Sequence, residues 1–113
     1  MNSDQLSRAR GTLAYLNEWL RQYQESDGLK QSGANDKRRD AETKCDDIRN
    51  RIRTEFESHH NKWLYSIAFK DEIENGSQGL EHLHEFFRPE GFAKRLERLV
   101  AKARSHLDAL EQS

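Results

Sequence analysis

Residues 6–23 read LSRARGTLAYLNEWLRQY, and the recurrence of their apolar side chains decides the fold. Leu6, Ala9, Leu13, Leu16, Leu20 and Tyr23 are spaced 3, 4, 3, 4 and 3 residues apart. At roughly 3.6 residues per turn this alternation places all six on one stripe, the a/d seam through which one helix packs on another. The two-residue alternation of a strand is found neither here nor elsewhere in the chain. Ser3 can accept a hydrogen bond from an open amide of the first turn, and Gly28 can end the helix in a left-handed conformation. The first helix is therefore predicted from about Asp4 to about Ser26.

The next stretch, DGLKQSGAND at 27–36, holds two glycines among polar residues and reads as a connection of about eight to ten residues. Asn35 or Asp36 can cap a second helix with the seam Ala41, Cys45, Ile48, Ile52, Phe56, His59 and Trp63. A break near HHN at 59–61 is an open alternative to one helix reaching NGS at 75–77. Asn75-Gly76 is a stop, and Ser77 can cap a short helix to about Phe87. That segment contains GLEHLHEFFRPEGF (79–92). His82 and His84 diverge by about 200° on a helix, so they form no chelating pair there, and Leu83, Phe86 and Phe87 read as packing residues. Pro89 suits the first turn of a last helix, Pro89 to about Leu110. Its seam is Phe92, Leu96, Leu99, Ala103, His106 and Leu110, widened by Val100 and Leu107. The fold class is all-α: an antiparallel bundle of three long amphipathic helices plus one or two short ones, with coiled-coil-like seams.

Composition fits one domain over residues 1–113 with a thin core. Hydrophobic residues make 34% of the chain and charged residues 35%, and Leu, Ile, Val and Phe together number 22 of 113. Such a sparse apolar set borders on that of disordered chains, but the net charge is only -1, so an ordered bundle completed by a second copy or a partner is expected. Nineteen basic residues against twenty acidic ones leave no global field that would mark a nucleic-acid or membrane binder. One cysteine, Cys45, excludes an internal disulfide and a thiolate metal cluster. No apolar run approaches the roughly 20 residues of a membrane span, and the first twenty residues have no apolar signal core, so a soluble cytoplasmic protein is expected.

Two patterns bear on chemistry. Glu57-x-x-His60 and Glu81-x-x-His84 resemble the paired motifs of ferritin-like di-iron carboxylate proteins. Here the motifs lie on consecutive segments, and Glu18 and Glu97 fall at outward positions, so no metal and no cofactor is expected. Arg53 and His60 share a helical face in RTEFESHH (53–60). An arginine followed by four to six residues and a histidine resembles the motif of HEPN ribonucleases. That resemblance implies a helical dimer in which Arg53 holds a phosphate of RNA and His60 transfers a proton.

Lys94, Arg98 and Lys102 recur every four residues on the last helix and could follow a phosphate backbone, although acidic residues are interspersed with them. The chain contains no glycine-rich phosphate loop and no nucleophile elbow. Tyr15 and Trp19 flank the leucine seam, and Trp63, Tyr65 and Phe69 cluster mid-chain, where large aromatics can either cap the core or anchor an interface. The function expected is a non-enzymatic protein–protein interaction module of adaptor, regulator or inhibitor type. It presents helix faces to a protein partner or to itself as a homodimer, with interface residues Leu6, Leu13, Tyr15, Leu16, Trp19, Leu20, Tyr23 and Trp63. The alternative is the HEPN-like helical dimer that binds or cleaves RNA through Arg53 and His60.

Overall fold

The computed structural model describes residues 3–32, 35–57, 62–70, 74, 76 and 81–112, with the backbone alone for 32, 57, 81 and 82. Helices α1 (Ser3–Ser32), α2 (Asn35–Glu57), α3 (Lys62–Ala68), α4 (Glu81–Phe86) and α5 (Phe92–Gln112) follow one another, and no strand occurs among the described residues. The 30 residues of α1, at about 1.5 Å each, set the long dimension of the molecule, 49 Å.

α1 runs through the predicted stop. Gly28 lacks a left-handed φ, and only residues 33 and 34 separate α1 from α2. A glycine inside a helix costs only about 1 kcal/mol against alanine, a small obstacle to a helix of 30 residues. The extra turn places half-buried Asp27 and Lys30 where their charges act on the Cys45 thiol of α2. Exposed pairs line the outside of both helices: Arg21 bridges Glu18 and Glu25, and Arg38 meets Glu42. Neighbours three or four positions apart share a helix face, so these pairs hold exposed side chains along the helix.

On α2 the predicted seam is the buried face: Ala41, Cys45, Ile48, Ile52 and Phe56 are all buried. The seam's next member, His59, and the proposed break at 59–61 lie outside the described residues; α2 ends at Glu57 and α3 begins at Lys62. On α5, Phe92, Leu96, Leu99, Val100, Ala103 and Leu107 are buried. His106 is exposed and Leu110 half-buried, so the stripe drifts off the strict a/d line as a straight helix of 3.6 residues per turn must.

α1 and α5 meet along their length. Arg10 pairs with Glu111 at 2.7 Å, Arg104 donates to Asn17 at 3.2 Å, and the Tyr23 and Phe92 rings meet edge-on at 5.0 Å. Phe56 closes the end of α2 against four rings: Phe69 at 5.4 Å, Phe87 at 5.5 Å, Phe86 at 6.0 Å and Tyr65 at 6.2 Å. The mid-chain aromatics Tyr65 and Phe69 are thus core neighbours. Edge-to-face pairs of this kind add about 0.5–1.5 kcal/mol beyond the area they bury.

The turn from α4 into α5 corrects the predicted helix start. Pro89 stands in a bend, Gly91 has φ 73°, and α5 begins at Phe92. Arg95, one turn into α5, reaches back over this turn: its Nε donates to the Phe86 carbonyl at 2.8 Å, Nη1 to the Glu90 carbonyl at 2.8 Å, and Nη2 to the Arg88 carbonyl. Carbonyls at a helix end lack intrahelical partners, and the guanidinium fork supplies them. Burial, with Arg88 nearby, draws Arg95 below the usual arginine value.

Candidate interaction face

The six seam residues of α1 divide into two sets. Ala9, Leu16 and Tyr23 are buried, packed into the chain's own core with Thr12 and Ser26 on the same side. Burial pushes the Tyr23 hydroxyl up to about 12, with Cys45 the next contributor. Leu6, Leu13 and Leu20 are only half-buried. They recur every seven residues and so lie along a single line on α1. Leu13 and Leu20 touch the core at its edge.

Polar residues border that line on its outer side. Arg10 and Asn17, also seven apart, are held by Glu111 and Arg104 of α5. Across the helix, Tyr15 and Trp19 are half-buried and stack on each other with centroids 4.8 Å apart. Leu29 shares the Tyr15 line, two heptads on, and is 46% exposed, the large hydrophobic side chain most open to solvent among the described residues. α1 therefore carries an apolar face wider than α2 and α5 cover. Leu29 was hidden in sequence because its segment read as a connection, and the alternation that marks a helix face does not extend through two glycines.

The other predicted site residues are dispersed. Trp63 is half-buried on α3, and its Nε1 donates to His106 Nδ1 on α5 at 3.0 Å. Lys94, Arg98 and Lys102 are exposed on α5, whereas neighbouring Arg95 is committed to the α4–α5 turn. Arg53 is half-buried on α2, and its suggested partner His60 lies outside the described residues. Of the four residues in the two Glu-x-x-His patterns, only the His84 side chain is described, and it is exposed.

Electrostatics around the α1 face are local. Hydrogen bonds from Arg21 and then Gln22 pull exposed Glu18 down to about 2. This keeps the carboxylate charged and oriented along the helix. No described helix is long and apolar enough to cross a membrane. Comparison with protein-family models, curated proteins and solved structures finds no match to this chain.

Proposed function

We propose that this chain is a non-enzymatic interaction module of the cytoplasm, an antiparallel bundle of three long helices with coiled-coil-like seams, that presents α1 to a second copy of itself. The observation that carries the reading is the half-buried line Leu6, Leu13 and Leu20. A two-fold axis at Leu13 sets Leu13 on Leu13 and Leu6 of one copy beside Leu20 of the other, since both stand seven residues from the centre. A two-fold interface requires this self-complementarity. Arg10, Asn17, Arg104 and Glu111 then form a polar border around an apolar centre, the usual anatomy of an interface.

The test is the oligomeric state. The chain is expected to dimerise with a dissociation constant on the order of micromolar, as suits an interface near the lower size limit. Leu13→Gln and Leu20→Gln should give monomers with the helical circular dichroism of the parent. A parent chain that stays monomeric throughout this range refutes the proposal.

A further inference from the structure

Between α3 and α5, outside the α1 face, runs an open groove of about 610 Å³, within the roughly 300–1,000 Å³ of small-molecule sites. Buried Ile67 from α3 and exposed Ala101 from α5 give it an apolar wall. Lys70, Lys102, Ser105 and His106 supply its polar lining. No carboxylate is among the described lining residues, and neither lysine forms an ion pair with a described residue.

His106 is oriented by Trp63. Its Nδ1 accepts the indole N–H, which assigns the ring's proton to Nε2 and makes that nitrogen a donor. Two ammonium groups and an imidazole N–H therefore stand beside a strip of hydrocarbon. On α5, Glu97 and Asp108 stand four and seven residues from Ala101 and so flank that apolar edge of the groove, while Lys102 and His106 lie about 120° or more round the helix from both acids. Of the basic stripe Lys94, Arg98 and Lys102, only Lys102 lines the groove.

We infer that this groove binds a small organic anion, a carboxylate or phosphate monoester with a short apolar body lying on Ile67 and Ala101 and its head between Lys70, Lys102 and His106. Charge and apolar surface each contribute, so neither a bare inorganic anion nor an uncharged amphiphile should satisfy the site.

Amide shifts during titration with octanoate, octyl phosphate, inorganic phosphate and octyl glucoside test this. Octanoate or octyl phosphate should give saturable shifts at Ile67, Ala101, Lys102 and Ser105, and the tighter of the two identifies the head group. Inorganic phosphate and octyl glucoside should bind at least about tenfold more weakly, since each lacks one of the two contributions. Lys70→Gln with Lys102→Gln should weaken the anion about tenfold or more while circular dichroism stays unchanged, and Ala101→Phe should weaken it by narrowing the groove. Absence of saturable shifts, equal binding of octyl glucoside, or indifference to both variants overturns the inference. So does a single-stranded oligonucleotide that binds more tightly and shifts Lys94 and Arg98, which would assign the face to a phosphate backbone.

Discussion

Trp63 Nε1 donates to His106 Nδ1 across 3.0 Å, and the two rings stand 5.8 Å apart. The pair, 43 residues apart in sequence, ties the short α3 to the long α5 and fixes one wall of the groove. Removing His106 leaves a half-buried indole N–H without this acceptor. His106→Ala is expected to lower stability by about 0.5–1.5 kcal/mol in urea unfolding. A double-mutant cycle with Trp63→Phe should recover a coupling of at least about 0.5 kcal/mol. Additive single effects would show that the bond is incidental.

The α4–α5 turn should be sensitive to a single methyl group. Gly91 has φ 73°, and a Cβ there would stand 3.3 Å from Arg95 Nη1. Gly91→Ala is expected to cost about 1–2 kcal/mol through the left-handed backbone alone, with more from displacing the arginine. Arg95→Lys should destabilise by a similar amount, because an ammonium cannot reproduce the planar fork across three carbonyls. Denaturant midpoints of the two variants report this directly.

Phe56 is fully buried and touches rings from both α3 and the α4 region. Phe56→Ala is expected to cost about 3–5 kcal/mol, the transfer loss plus the cavity left behind. Near-ultraviolet circular dichroism should weaken more than the helical signal, since the aromatic contacts are lost first.

Alkaline pH should weaken the fold through Tyr23. Its hydroxyl titrates at about 12 when folded against 10.0 for the ordinary value. Between these values the folded state holds a proton that the unfolded state has released, so stability present below pH 10 is lost as pH rises toward 12. The shift sets an upper bound on the loss of about 2–3 kcal/mol, reduced by solvent screening of the hydroxyl. Tyr23→Phe should remove this component, and the pH dependence of the urea midpoint distinguishes the two chains.

Where a helix packs on its chain neighbour by a local repeat, the pattern was legible. Ala41, Cys45, Ile48, Ile52 and Phe56 have the right spacing, and all are buried. Gly28 misled because a glycine is a stop signal worth only about 1 kcal/mol, and α1 runs through it to Ser32. Pro89 misled as well, since its place in a bend depends on Arg95 reaching back from α5. The split of α1 into buried Leu16 and half-buried Leu13 depends on how far the packing of α2 and α5 reaches round the helix, which spacing within α1 does not display. The groove was illegible for a related reason: Lys70, Lys102 and His106 come together only through packing of α3 on α5.

Sedimentation equilibrium over about three decades of concentration around the micromolar range, on the parent chain and on Leu6→Gln, Leu13→Gln and Leu20→Gln, tests the central claim most directly. The account predicts a reversible dimer for the parent and folded monomers for the variants, with Leu13 at the two-fold axis the most damaging position. A parent chain monomeric throughout, or a dimer that survives all three substitutions with its affinity intact, would contradict it.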